Sequence, residues 1–247
     1  MAEASGRRCY IGTSGWVYAH WQGVFYPPDL PQSRWYGHYA RRFDTVEINT
    51  SFYRLPSEAA FDRWQAQAPP GFVYALKANR YLTHIKRLKD AAEPLERFLV
   101  RARRLKDALG PILWQLPPKW GADPARLETF AAGLPPDLVH AFEFRDPRWF
   151  VPAVRDILER FGLSFCIFDM PDLPCPPWVT SDVVYLRFHG AGLVYAGRYG
   201  QAGLLPWAER VRQWLAGGRT VYAYFNNDAF GHALEDARTL RELAAAR

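Results

Sequence analysis

The chain has 247 residues, of which 49% are hydrophobic and 23% charged, with a formal net charge of +6. A chain this long buries about three-quarters of its surface on folding. It therefore needs neither disulfides nor a structural metal, and its composition excludes intrinsic disorder and a fibrous class. No stretch approaches the roughly 18 uncharged apolar residues of a membrane span, and the N-terminal MAEASGRR shows no apolar segment behind its basic pair. The expectation is a cytoplasmic protein that does not associate with membranes.

Cys9, Cys166 and Cys175 are too few and too scattered for a disulfide framework or a zinc knuckle, so they read as buried thiols. Ten Trp, thirteen Tyr and sixteen Phe are available for core filling, sugar stacking or base stacking, which composition does not separate. The positive charge is local. Between positions 77 and 106 ten basic residues face only Asp90, Glu93 and Glu96, giving +7 there and −1 elsewhere. Such a patch can attract anions.

In chain order, short β-branched and aromatic runs predict eight strands, at 10–13, 45–49, 73–77, 112–116, 140–144, 164–168, 183–188 and 221–225. Helical periodicity predicts helices near 33–43, 57–68, 93–109, 124–133, 152–161, 206–217 and 232–246. The Pro-rich 170–180 segment after the sixth strand carries no helix signal. Ser57 and the Asp123-Pro124 pair read as helix starts, and Asp228 as the N-cap of the last helix. Strand–helix alternation along a whole chain implies a parallel sheet, because parallel neighbours need a crossover. Eight units in this length predict an α/β fold, a single (β/α)8 TIM-type barrel spanning 1–247. The first strand leads into GTSGW rather than a G-x-G-x-x-G loop, which argues against an open dinucleotide-binding sheet.

Barrel enzymes carry their chemistry at the C-terminal ends of the strands. Those positions hold Thr13 and Ser14; Glu47 and Asn49; Lys77 and Asn79; Gln115; Glu143 and Arg145; Asp169; Arg187 and His189; and Asn226, Asn227 and Asp228. Four of the sets are i, i+2 pairs, so each pair points one way while Ile48, Ala78, Phe144 and Phe188 point the other. Charged pairs aimed into a lumen require partners. They form either a self-satisfied ion-pair layer or a polar pocket for a ligand, and the pocket is the reading favoured here.

The segments IGTSGWVYAHWQGVFYP (11–27), TVEINTSFYRLPSE (45–58), YALKANRYLTHIKRL (74–88), LWQLPP (113–118), AFEFRDPRW (141–149), LRFHG (186–190) and VYAYFNNDAFGHA (221–233) closely resemble the domain of unknown function 72, or YecE-like, family. The resemblance covers nearly the whole chain. It implies a TIM-type barrel and a loose relation to sugar isomerases, and it assigns no residue roles.

The residues themselves suggest an enzyme acting on a polar, sugar-like and conceivably phosphorylated metabolite. Glu47 and Glu143 would move protons, Lys77 would polarise a carbonyl, and His189 would shuttle a second proton. Arg145 would stabilise negative charge, and Arg187 and Asn226 would orient substrate. Trp16 and Tyr53 would close over it, with Thr13, Ser14, Asn49, Asn79, Gln115, Asn227 and Asp228 lining the site. Loops after the seventh and eighth strands are the usual phosphate cradle of this fold. No cofactor is required. Glu47, Glu143, Asp169 and His189 form an oxygen-rich set that would suit Mg²⁺ or Mn²⁺ better than zinc. A glycosidase could use the same two carboxylates, with Trp16, Trp21, Tyr53 and Trp149 as sugar platforms. Two other classes stay open: a nucleic-acid binding or processing protein using the 77–106 patch, in which Arg97, Arg101 and Arg104 share one helix face, and a non-catalytic ligand-binding barrel.

Overall fold

The computed structural model describes residues 9–246. The MAEASGRR segment lies outside the described residues. Eight strands, β1 (Cys9–Thr13), β2 (Thr45–Ile48), β3 (Val73–Lys77), β4 (Leu109–Gln115), β5 (His140–Glu143), β6 (Ser164–Asp169), β7 (Val183–Phe188) and β8 (Thr220–Phe225), pair in parallel into one sheet. Its order runs β1-β8-β7-β6-β5-β4-β3-β2. The sheet curls into a nearly closed TIM-type (β/α)8 barrel, as the strand pattern predicts.

Around it pack α1 (Trp35–Ala40), α2 (Thr50–Tyr53), α3 (Glu58–Gln67), α4 (Ala92–Ala102), α5 (Pro124–Ala132), α6 (Pro152–Arg160), α7 (Gly200–Ala216) and α8 (His232–Ala245). Among the described residues, none of these helices is long and apolar enough to cross a membrane. The cysteines form no disulfide.

Several boundaries differ from the sequence reading. The one-turn α2 is too short to leave a periodic signal. The helix expected at 93–109 stops at Ala102 and continues as a tight 3₁₀ turn, broken at Lys106 with φ 51°, so that β4 starts at Leu109. Helix α7 begins six residues before its expected start and runs through Pro206. Asp123 caps α5 by accepting from Arg126 N at 3.1 Å, whereas Ser57 occupies the cap position of α3 without a side-chain bond. The cap of α8 is Gly231, whose φ of +77° favours glycine, and not Asp228.

Strands β1 and β2 are the two edges of the sheet, and one tyrosine joins them. Tyr39 OH, reaching in from α1, accepts from Thr13 N at 3.1 Å and from Thr13 Oγ1 at 2.9 Å, and donates to Thr45 O at 3.0 Å. The hydroxyl thus spends its donor and both lone pairs on the seam. The strands come so close there that a Cβ on Gly12 would fall 2.4 Å from the Thr45 carbonyl oxygen.

Side chains alternate across the sheet. Outward residues such as Ile48, Leu76, Phe144, Ile167 and Phe188 join the large cluster under the helices. Inward residues Val73, Ala75, Leu113, Ala141, Cys166, Tyr185, Tyr222 and Tyr224 fill the lumen. Tyr10 stacks on Tyr222 at 4.8 Å at the N-terminal end. The barrel is therefore plugged below by apolar packing, and the polar residues that continue the inward rows rest on this plug.

Candidate active site at the C-terminal mouth

One step beyond the apolar plug, the inward rows become charged. Arg187 lies at the centre. Its Nε donates to Glu47 Oε2 at 3.0 Å and Nη2 to Glu47 Oε1 at 2.7 Å, a bidentate pair, while Nη1 donates to Glu143 Oε2 at 2.6 Å. Ser14 Oγ at 2.8 Å and Tyr185 OH at 2.7 Å complete the shell of Glu47. Gln115 Nε2 at 2.9 Å and the Arg145 guanidinium, whose Nε is 2.5 Å from Oε1, complete that of Glu143. Glu47 and Glu143 are fully buried and Arg187 is 1% exposed. The carboxylates expected to line a polar pocket are instead sealed in a self-satisfied ion-pair layer, because β2, β5 and β7 set them level with a guanidinium large enough to bridge both.

Electrostatics follow from this packing. Burial pushes the Glu47 carboxyl up, but the charge and hydrogen bonds of Arg187 outweigh it and hold the group below its ordinary value. Burial likewise opposes ionisation of Glu143, and Arg145 and Arg187 together hold it well below the usual range. Both stay ionised and are poor proton carriers near neutrality. His189 is fully buried, its Nε2 2.8 Å from Arg145 Nη2 and 3.2 Å from Glu143 Oε1. Burial, opposed by the bond to Glu143, lowers it to about 4, so the imidazole is neutral at pH 7. On the other side of the ring, Nδ1 lies 3.3 Å from Asn226 Nδ2.

Lys77 differs from its neighbours. It ends β3 on the lumen side, half-buried, with Nζ 4.1 Å from the centre of the Phe52 ring. Among the described residues no carboxylate lies within ion-pair distance of it. Burial lowers its pKa to about 7, aided by the charge of Arg187 and opposed by Glu143 and Glu47. Three cations (Lys77, Arg145, Arg187) thus share the mouth with two carboxylates, both already committed to guanidinium groups. The lysine is left unpaired.

The remaining predicted residues separate by strand parity. Ser14, Gln115 and Arg145 join the cluster, and Asn226 reaches it through His189. Thr13 faces outward to Tyr39. The Asp169 carboxylate also lies on the outer face of β6, where it accepts from Tyr199 OH at 3.1 Å, so it does not meet the side chains of Glu47, Glu143 or His189. Among the described residues no three carboxylate, imidazole or thiol groups converge as metal ligands do. Asn79 spends its amide on Ser51 O and Tyr81 N, and Asn49 is half-buried at the start of α2. Trp16 packs edge-on against Tyr36 and Trp64, on α1 and α3, while Tyr53 is 72% exposed. Asp228 accepts from Trp21 Nε1 at 2.8 Å and lies 2.9 Å from His20 Nε2.

At the start of α7 the backbone donors are already taken by a side chain from within. Asp236 of α8 accepts from Tyr199 N and Gly200 N at the start of α7, both at 3.0 Å, and from Asn227 Nδ2 at 2.7 Å. An incoming phosphate would have to displace that carboxylate. Asp236 gave no sequence signal, being one of several acids on a helical face. Tyr185 had one: it stands two residues before Arg187 and so shares its face. Met170, whose sulfur accepts from Arg145 Nη1 at 2.8 Å, comes from a loop, and Phe52, beneath Lys77, from the one-turn α2, and the sequence prescribes the path of neither.

Part of the basic stretch is engaged within the fold. Arg104 pairs with Asp62 and Glu58 of α3, Arg103 with Asp137, and Arg97 with Glu93, while Arg101 donates to Pro56 O. Arg101 and Arg104 therefore tie the α4 region to α3 and its entry loop and do not line a single solvated face.

The family model described as "Protein of unknown function DUF72" matches residues 10–247. UPF0759 protein YunF of Bacillus subtilis (strain 168) is 23% identical over 95% of this chain and 94% of its own length. UPF0759 protein YecE of Escherichia coli (strain K12) is 28% identical over 94% and 91%. Among solved structures, a DUF72 family protein from Thermotoga maritima MSB8 superposes with a TM-score of 0.81 at 26% identity, covering 97% of this chain and all of that one. One from Enterococcus faecalis V583 gives 0.83 at 20% identity over 97% and 96%, a likeness of fold.

Proposed function

The chain belongs to the DUF72 family, and from the arrangement at its barrel mouth we propose that it is an enzyme that moves a proton beside the carbonyl of a small polyhydroxylated, sugar-like compound, with Lys77 set against that carbonyl. The observation that carries this reading is the saturation of Glu47 and Glu143 by Arg187, Arg145, Ser14, Tyr185 and Gln115. That bonding leaves Lys77 without a carboxylate partner among the described residues. The ion cluster is then scaffold and field source. With Lys77 protonated the mouth carries one net positive charge, which favours a developing enolate oxygen, and the cluster beneath it, being fixed beforehand, costs nothing to reorganise during reaction. The Gln115 carbonyl oxygen, its amide nitrogen being held by Glu143, and the half-buried Asn226 are available for substrate hydroxyls. Proton handling, which the sequence suggested for the two glutamates, passes to groups that can reach a guest.

The test is proton exchange in D₂O. Incubation with aldoses, ketoses and their phosphates, followed by NMR, should show deuterium entering at the carbon beside the carbonyl. The Lys77→Met variant should lose at least about 10²-fold of that rate, the usual scale of a positioned catalytic group. Binding of a sugar without any exchange would make the barrel a non-catalytic binder. An exchange rate unchanged in Lys77→Met would remove the lysine from the chemistry.

A further inference from the structure

We infer that Lys77 acts covalently, its Nζ condensing with an aldehyde or ketone substrate to form an imine at the barrel mouth. This rests on the reading of the site above and sharpens it from contact with a carbonyl to a bond.

The surroundings of the amine carry the argument. An amine attacks only as the free base, so a nucleophilic lysine must be relieved of its proton and remain reachable. A carboxylate partner would keep it an ammonium. In this barrel both nearby carboxylates are turned to Arg187, and Glu143 also to Arg145, so neither pairs with the lysine, whose amine lies over the Phe52 ring. The sheet holds the lysine's Cα rigidly at the end of β3, and Phe52 limits the sweep of its side chain. Burial and the Arg187 charge lower its proton affinity, consistent with a free-base fraction at neutral pH.

The chain supplies its own controls. It holds only four other lysines, Lys86, Lys89, Lys106 and Lys119. Lys89, Lys106 and Lys119 are exposed and Lys86 is half-buried over the edge of the barrel loops, 6.0 Å from the Tyr81 ring. None occupies the lumen.

The step balances without a further reagent. The Nζ lone pair adds to the carbonyl carbon, the C=O electron pair moves onto oxygen, and that oxygen takes a proton to give a carbinolamine. Closure of C=N expels the oxygen as water, carrying away both hydrogens of the amine. Protonation from solvent yields an iminium that draws electrons from the adjacent C–H bond, which is the bond the proposed proton transfer must weaken.

The experiment is reductive trapping. The protein is mixed with glyceraldehyde, dihydroxyacetone or pyruvate, treated with sodium borohydride, and analysed by intact mass and peptide mapping. A single adduct is expected, on the peptide carrying Lys77 and at least about tenfold above any other lysine. Lys77→Arg, which keeps the charge and cannot form the bond, should lose the adduct while retaining the native circular dichroism spectrum. Because the mapping is done on the unaltered protein, a misfolded variant would not obscure the result. Labelling spread evenly over the five lysines, or no adduct with any of the three carbonyls, overturns the imine. If trapping fails while deuterium exchange still depends on Lys77, the lysine works by hydrogen bonding and only the covalent step is lost. If both fail, the proposed function falls with it.

Discussion

Arg187 grips Glu47 through two parallel hydrogen bonds, Nε to Oε2 at 3.0 Å and Nη2 to Oε1 at 2.7 Å, with neither residue more than 1% exposed. The pair is buried, bidentate and shared with Glu143, so removing the arginine strands two carboxylates in the barrel. Replacing Arg187 by Met should cost about 3–5 kcal/mol, the usual penalty for breaking a buried pair from one side. Urea unfolding of the variant measures it. A loss below about 1 kcal/mol would mean that water reaches the cluster.

The seam of the barrel gives a second prediction. Tyr39→Phe removes a hydroxyl that serves Thr13 N, Thr13 Oγ1 and Thr45 O at once. Leaving a buried donor and a buried carbonyl unsatisfied should destabilise the fold by about 1–3 kcal/mol. In hydrogen-exchange measurements the Thr13 amide should lose protection more than amides at the β4–β5 pairing on the far side of the sheet. Equal protection at both places would show that β1 and β2 are held by other contacts.

Much of this architecture was legible because it rests on period-two alternation, which strand sterics impose whatever the loops do. All eight strands appear where the apolar runs place them, and the i, i+2 logic that paired Glu143 with Arg145 and Arg187 with His189 holds in space. The same logic, carried further, would have put Thr13 and Asp169 on the outer face, since each is one residue out of phase with an inward neighbour, Ser14 or Phe168. What alternation does not contain is who satisfies whom. That Glu47 and Glu143 would share one arginine depends on the heights of three non-adjacent strands. That Asp236 would fill the anion site of α7 depends on helix packing. Phe52 on the one-turn α2 and Met170 in its loop depend on chain paths that no short-range pattern specifies.

Stability should also depend on pH through Lys77. A lysine that titrates near 7 when folded and near 10.4 when unfolded binds fewer protons in the native state between those values. Stability therefore rises with pH across that window, and the charged lysine penalises the fold below it. Lys77→Met should remove the penalty and gain about 1–2 kcal/mol at pH 6, after allowing for solvent screening of a half-buried group. The gain should shrink toward pH 10. Denaturant unfolding of both proteins at pH 6, 8 and 10 tests this, and a gain that grows with pH has the wrong sign for the account.

The most direct measurement is the titration of Lys77 itself, followed through its side-chain ¹³Cε signal by NMR from pH 5 to 11, with the four other lysines as internal references. A midpoint near 7, well apart from the rest, is the predicted result. A midpoint with the others near the ordinary lysine value of about 10.4 would mean that the amine is a plain ammonium at neutral pH, and would contradict the role given to it here.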